Sequence, residues 1–335
     1  MSKATYILYR VISMVPTLFG VVVVIFVLSH SIKGDPARMM AGDVADKQVL
    51  ETIRKEFKLD QPIYVQFLAY FQNLAAGNLG TSYQTKRPVL SSLMERFPAT
   101  LELTLASLTF ALIGAIPLGV ISAVKRNKPI DHLVRILSVG GISMPVFWSG
   151  LMLIYLFYLK LDLLPGGSRL GVYSTPPPAV TGMFTVDSLL AGNWPLFQES
   201  VSHLVLPAFI LGYGYMALLA RMVRSSMLEV LTQDYIRTAR SKGLAERAIV
   251  LRHGLRNALI PVTTLAGLAF AGLLGGAVLT ETIFSWPGIG KFVVDAGLFL
   301  DYPVIMGFTL LIAIVYMFVN LVVDLMYSWL NPQIQ

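Results

Sequence analysis

The sequence predicts an all-α membrane protein with six transmembrane helices and a folded external loop after the first. Three observations carry that expectation. The 335-residue chain is 55% hydrophobic and only 13% charged, whereas a soluble protein carries about 25% charged residues. Its charges are clumped, and the uncharged stretches between the clumps lie at 11–32, 103–124, 136–159, 204–220, 257–280 and 302–323. Each is of the length, roughly 17–25 residues, that spans a bilayer. Lys and Arg also favour one side of this topology. Backbone groups in lipid have to pair internally, so the spans are expected to be helices.

The first span is too long for a signal-peptide core and no small-x-small cleavage site follows it, so residues 1–32 are expected to remain as transmembrane helix 1. The loop at 33–99 has its own periodicity. Val49, Ile53 and Phe57 fall at i, i+4, i+8, as do Ile63, Phe67 and Phe71. Two short amphipathic helices are expected there, separated by Asp60, Gln61 and Pro62 and ended at Gly77. They cap the helix ends or form a docking surface for an extracytoplasmic partner, and the two roles are compatible.

Residues 100–335 hold the other five helices, at about 100–124, 136–159, 200–220, 257–280 and 302–327. The fourth is extended back to Ser200 because its uncharged window is short. In the external loop 160–199, Pro165-Gly166-Gly167 and Pro176-Pro177-Pro178 forbid long helices, with room for one short helix in 181–193. The third external loop, 281–301, opens on a turn-rich element from Ser285 to Gly290. Pro16, Pro117, Pro145 and Pro207 interrupt spans and are candidate bends.

With six spans both termini share a side. That side carries Lys3, Arg10, the cluster Lys125, Arg126, Lys128 and Arg135, and eight cations between residues 221 and 256, making 14 Lys/Arg against four acids, Asp131, Glu229, Asp234 and Glu246, with Asp324 left near the end of the last span. The other side carries 12 Lys/Arg and 14 acids, with nine of those cations in one long loop. Short loops decide topology, so both termini are expected to be cytoplasmic. The net charge of +7 is therefore a positive-inside signature. No basic groove is interleaved with stacking aromatics, which argues against nucleic acid. The absence of cysteine excludes disulfides, thiolate zinc sites and covalent haem.

The cytoplasmic loop 221–256 is the most informative stretch. Residues 235–242 read as a helix, with Asp234 as N-cap and Gly243 as its stop. Ala239 and Gly243, four apart, are expected to expose a bare backbone patch ringed by Arg237, Arg240, Lys242, Arg247, Arg252 and Arg256. A second helix follows, with Leu244, Ala248, Leu251 and Leu255 along one face, running into Pro261. On charge alone, a solvated loop obeying the positive-inside rule fits equally well.

Several segments resemble the peptide/nickel family of ABC importer permeases. They include Met227 to Leu231, Asp234 to Leu244, Arg256 to Pro261, Gly34-Asp35-Pro36, Leu59 to Pro62, Gly77 to Gly80 and Pro98 to Leu103. Ser143 to Trp148, Arg221 to Ser226, Glu281 to Gly290, Asp301 to Pro303 and Asn331-Pro332 resemble it too. The general permease motif matches only at Ala239, Gly243 and Leu255, and the family-specific wording carries the resemblance. The tail ends Gln333-Ile334-Gln335 where the family favours a basic ending. Within the family the chain is most similar to the first, B-type, permease subunit of dipeptide importers.

The resemblance implies a type I ABC importer permease fold in a bacterial inner membrane. It implies a second homologous permease subunit, two cytoplasmic ATPases and an extracytoplasmic solute-binding protein as partners. ATP and Mg would sit on the ATPases, with no cofactor on this chain. The chain agrees in having no phosphate-binding Gly-x-x-x-x-Gly-Lys-Ser/Thr loop. Dipeptides or similar small peptides are the implied substrate, with oligopeptides, glutathione, nickel chelates and haem as alternatives. Contact with the ATPases falls to Asp234, Tyr235, Arg237, Ala239, Arg240, Lys242, Gly243, Leu244 and Leu255, and to residues 125–128. External gate candidates are Glu281, Trp286, Pro287, Gly288 and Gly290.

Ser143, Met144, Phe147 and Trp148 are pathway candidates, with helix packing or lipid contact as the competing reading. Asn320 and Asp324 share one face of the last span and read as helix-packing residues. The four histidines are scattered and read as structural. A self-contained secondary transporter would want ionisable residues at mid-span or an inverted repeat. An intramembrane enzyme would need a nucleophile with its base, or a metal cluster. The sequence shows neither pattern.

Overall fold

A computed structural model describes residues 3–31, 46–56 and 60–330 of the chain. The sequence features at Lys33, Gly34 to Pro36, Phe57, Leu59, Asn331, Pro332 and Gln333 to Gln335 lie outside the described residues. Helices dominate, and an isolated antiparallel bridge joins Thr81 to Pro88. The chain divides into two compact units, Met1–Pro98 with Gly288–Met317, and Ala99–Pro287 with Phe318–Gln335.

The first unit begins with α1 (Lys3–Ser31), followed by α2 (Lys47–Glu56) and α3 (Ile63–Ala75). Val22 and Ile25 of α1 are buried beside Leu310, with Phe67, Tyr70 and Leu74 of α3 packed on them. The inward face of α3 is therefore Phe67, Tyr70 and Leu74, at i, i+3, i+7, and not the expected Ile63, Phe67 and Phe71. Ile63, Tyr64 and Leu68 are exposed. The aromatic rings decide this register, because Phe26 meets the Phe67 ring edge-on at 5.1 Å and stacks on Tyr70 at 5.8 Å. Elsewhere in this unit, Ile289, Phe292 and Ala296 bury against Val89, Leu93 and Val304.

The second unit is built from long helices. α4 (Val89–Val124) contributes residues from 99 onward. Next come α5 (Pro129–Ser143), then α6 (Val146–Leu153) continuing as a π-helical stretch Ile154–Lys160. α7 (Phe184–Leu190) is short, and α8 (Trp194–Val230) is the longest helix described. α9 (Asp234–Ser241) and α10 (Glu246–Ala248) lead through a π stretch, Ile249–Gly254, into α11 (Leu255–Ile283). α12 (Ile289–Leu298) belongs to the first unit, and α13 (Tyr302–Leu330) is the last helix.

Among the described residues, four helical stretches are long and apolar enough to cross a bilayer: Val89–Val124, Trp194–Val230, Glu246–Ile283 and Tyr302–Met326. The expected third span is α5 and α6, bent by 104°. The apolar part of α1, Ile12–Leu28, is shorter. Four long helices, the bent pair and the shorter apolar stretch fall on the six expected segments, and the third of these is broken at Pro145. The bend has a local cause. Pro145 has no N–H to donate and clashes with a helical residue before it, and Met144 is accordingly extended at φ −83, ψ 127.

α8 starts at Trp194, earlier than expected, because Asn193 caps it by accepting a hydrogen bond from the Leu196 N–H at 3.1 Å. At 37 residues it is about 55 Å long, more than the roughly 30 Å of hydrocarbon it crosses.

Small residues let these helices approach closely. A Cβ on Gly212 of α8 would stand 2.5 Å from the Ser107 carbonyl oxygen of α4. One on Gly119 of α4 would stand 2.6 Å from Val223 Cβ and 2.7 Å from the Ala220 carbonyl oxygen of α8. Around these crossings Ala111, Ala115, Leu219, Val223, Met227 and Ala258 are buried together. Gly212→Ala is expected to force α4 and α8 apart and to cost on the order of 2 kcal/mol, read as a lower Tm in detergent. Gly276→Ala, at a helical position with no atom within 4 Å of the added methyl, is the control and should leave Tm unchanged.

Candidate functional site

The basic loop between α8 and α11 folds into a compact element. Gln233, not Asp234, is the N-cap residue of α9, and Asp234 is its first helical residue. There its carboxylate complements the positive end of the helix dipole and meets Arg237 Nη1 at 3.3 Å. The C-terminus closes as a Schellman turn. The Gly243 N–H donates to the Arg240 carbonyl at 2.9 Å, and the Leu244 N–H to the Ala239 carbonyl at 3.3 Å. This turn requires a left-handed residue, and Gly243 supplies it at φ +78.

The inner face of α9 differs from the expectation. Ala239 is 8% exposed and packs with Ile236 and Ile249, which are fully buried. Its small side chain brings α9 close to the π stretch of its own chain, so it is no part of a bare outer patch. The second helix is shifted as well. Leu244 precedes the N-cap Ala245 and is exposed, and the π turn at Ile249–Gly254 rotates the register, so Ile249 and Gly254 are buried while Leu251 is exposed. Leu255 is partly buried against the cluster around Met227.

The outer face carries Asp234, Tyr235, Arg237, Arg240, Lys242 and Gly243, all exposed. Arg240 Nε donates to Glu246 Oε1 at 2.7 Å, and Asn257 Nδ2 donates to the Tyr235 hydroxyl at 2.7 Å. These exposed contacts orient side chains and add little stability.

Asp131, an acid within a basic run of the sequence, is a buried clamp. Its carboxylate accepts from Ser122 Oγ at 2.5 Å, the Asn127 N–H at 2.9 Å, and Arg224 Nε and Nη2 at 2.8 and 2.9 Å. The turn bearing exposed Lys125, Arg126 and Lys128 is thereby pinned to α8. The only sequence signal was an isolated acid among cations, and nothing linked it to Arg224, 93 residues away.

The loop between α6 and α8 is also fastened by buried charges. Glu102 accepts from Arg169 Nη2 at 2.6 Å and from the Thr185 N–H and hydroxyl at 2.7 Å each. The Arg169 guanidinium lies 3.5 Å from the centre of the Phe184 ring. Asp187 binds the Thr181 backbone and hydroxyl and the backbone N–H groups of Gly182 and Val180. Burial alone would raise its pKa, but these donors hold the carboxyl below its usual range.

Of the gate candidates, Glu281 is fully buried and accepts from Thr100 Oγ1 at 2.5 Å. Trp286 is also buried, and its Nε1–H donates to the Ala99 carbonyl at 2.8 Å. Pro287 is exposed, while Gly288 and Gly290 are buried at the start of α12. The pathway candidates Ser143, Met144, Phe147 and Trp148 gather at the α5–α6 break, and all are exposed. They belong to an outer apolar face that includes Ile136, Val139 and Leu151.

Two outcomes test this geometry. Arg224→Met removes both charge-assisted hydrogen bonds to the buried Asp131 carboxylate and leaves it only Arg135, at 3.8 Å; it should cost on the order of 3 kcal/mol, seen as a large fall in Tm. Gly243→Ala should cost about 1 kcal/mol through its left-handed backbone alone, with Gly243→Asn recovering most of it. Hydrogen exchange at the amides of residues 239–244 reads the difference.

Comparisons with known proteins bear on the identity of this chain. A family described as "Binding-protein-dependent transport system inner membrane component" matches residues 115–335, and its N-terminal companion family matches residues 3–104. A probable D,D-dipeptide transport system permease protein of Escherichia coli (strain K12) is 52% identical over 315 residues, covering 94% of this chain and 93% of that protein. A di/tripeptide transport system permease protein of Pseudomonas aeruginosa (strain UCBPP-PA14) is 47% identical over 332 residues, covering 99% and 98%. Among solved structures, an inward-facing MetNI methionine ABC transporter chain aligns with TM-score 0.53 and 18% identity, over 72% of this chain and 98% of that one. That likeness shows a shared fold. The chain belongs to the inner membrane component family of binding-protein-dependent transport systems, and it is a permease subunit of an ABC importer.

Proposed function

We propose that the chain forms half of a translocation pathway for dipeptides or similar small peptides and couples that pathway to cytoplasmic ATPases. The observation that carries the coupling role is the outer face of α9. It presents Tyr235, Arg237, Arg240 and Lys242 outward on a helix whose inner face is locked by Ile236, Ala239 and Ile249. A helix held this way transmits a push from a docked partner to α8 and α11, the spans that flank it. The turn at 125–128, clamped through Asp131, is the second contact. The substrate reading rests on the relatives, which are dipeptide and di/tripeptide transport permeases. Dipeptides come first, with oligopeptides, glutathione, nickel chelates and haem as the other solutes.

In this reading the partners are a second homologous permease, two ATPases that hold ATP and Mg, and an extracytoplasmic solute-binding protein. The chain itself is non-catalytic. Both termini are cytoplasmic, which places α9 with the ATPases and α3, with its exposed Ile63, Tyr64 and Leu68, on the side of the binding protein. Glu281 and Trp286 act as fixed struts behind the external gate, and Met144, Phe147 and Trp148 line the pathway at the bend. The assignment by region is residues 1–32, 33–99 and 100–335, with the coupling loop at 221–256.

The test is a pull-down from native membranes in mild detergent, paired with uptake of a labelled dipeptide. Wild type should bring down ATPases and a second permease. Arg237→Glu combined with Lys242→Glu changes only exposed positions, and should lose the ATPases and at least tenfold of uptake while keeping the second permease. A wild-type chain that purifies alone and moves solute in liposomes without ATP would overturn the reading.

A further inference from the structure

The second unit contains an apolar groove of about 490 Å³ between α4, α11 and α13. Its walls include Leu112 of α4, Leu259, Ala266 and Phe270 of α11, and Phe318 and Val322 of α13. The polar side chain in the groove is satisfied locally, since Thr263 Oγ1 donates to the Ile260 carbonyl at 2.7 Å. The groove therefore offers an occupant nothing but hydrocarbon contact.

Its size discriminates between occupants. From Leu259 to Phe270 the groove runs about 17 Å along α11. A transmembrane helix about 10 Å across could seat only part of its girth between these walls, leaving the rest outside the groove. A single hydrocarbon chain, about 4–5 Å thick, fits without moving the walls.

One end of the groove carries a charge. Arg256 is exposed and lies one turn before Leu259, on the arc of α11 that continues through Thr263, Ala266 and Phe270. Helical side chains lean toward the N-terminus, and a long cationic side chain at the end of an apolar surface carries its charge to the headgroup layer, which is the position Arg256 holds relative to the groove. Asp324, the acid near that end of α13, falls on the opposite face of α13 from Phe318 and Val322 by helical periodicity. An apolar slot ending at an arginine complements a phosphate ester attached to an acyl chain.

We propose that this groove binds the acyl chain of an anionic phospholipid of the inner leaflet, with its phosphate at Arg256. Relative to water, each buried methylene stabilises an occupant. In a bilayer that gain is absent, so retention depends on packing and on the charge pair. The site joins α4, α11 and α13 at the end next to the π stretch Ile249–Gly254, so a bound lipid braces the base of the coupling loop. The leaflet assignment rests on the orientation proposed above.

The experiment purifies the complex with its partner subunits, strips lipid, and titrates phosphatidylglycerol or phosphatidylethanolamine with bound lipids counted by native mass spectrometry. Wild type should retain phosphatidylglycerol at a concentration at least tenfold lower than phosphatidylethanolamine. Arg256→Gln should remove that preference. Val322→Trp fills the slot from a half-exposed position and should abolish retention, and Ala266→Leu should weaken it if the tryptophan variant does not assemble. Equal retention of the two lipids by wild type, or retention unchanged in both filling variants, would overturn the proposal. So would high-yield crosslinking of Val322→Cys, in this cysteine-free chain, to a helix of the second permease. If wild type brings down no partners, the functional reading fails on its own, and the same titration on the isolated chain still decides the groove.

Discussion

A bilayer gives apolar helices no hydrophobic reason to associate, because lipid tails are as apolar as leucine. The second unit therefore depends on how closely its backbones approach. Gly212 of α8 faces the Ser107 carbonyl of α4, and Gly119 of α4 faces Val223 and the Ala220 carbonyl of α8. On α11, Gly267 faces Val323 and Gly272 faces the Tyr215 hydroxyl. At each point a hydrogen stands where any side chain would collide. Dispersion summed over these contacts holds the helices together, and alanine fills the positions between them, as at Ala111, Ala115, Ala220 and Ala258.

Buried polar groups do a different job. Glu102, Asp131, Asp187 and Glu281 are all almost fully buried, and each accepts hydrogen bonds from groups distant in sequence or from a loop. A buried charge is tolerated only when paired. Once paired, it fixes one arrangement of the segments that meet it. Asp131 fixes the cationic turn 125–128 against α8. Glu102 and Asp187 fasten the proline-rich loop between α6 and α8, which has too few helical residues to hold its own shape. The candidate ATPase surface and the candidate external mouth are both positioned by such anchors, which tie loops onto long helices.

Much of this was legible in the amino-acid order. Hydrophobic periodicity and charge clumping found the apolar helices, because a span must exclude charge over its whole length. The basic loop was legible because glycine, small residues and cations coincide there. The external pair of helices was visible, yet the face of α3 that turns inward was misassigned. Ile63, Phe67 and Phe71 fit a helical stripe as well as Phe67, Tyr70 and Leu74 do, and only the rings of Phe26 and its neighbours chose between them. The same ambiguity misplaced Ala239, since a small residue permits close approach without saying to what.

By itself, the sequence determined the class of the protein, the places where helices could cross a membrane, the side on which cations collect and the left-handed stop at Gly243. These follow from composition and from interactions within a few residues, which the chain order contains. Only the tertiary structure decided the 104° bend at Met144-Pro145, the π turn that rotates Leu251 outward and Ile249 inward, and the partner of Asp131. The bend angle, the register after a π turn and a contact across 93 residues all depend on how neighbouring helices pack. No local periodicity encodes that packing, because the same apolar stripe satisfies several neighbours until close contacts and buried charges select one.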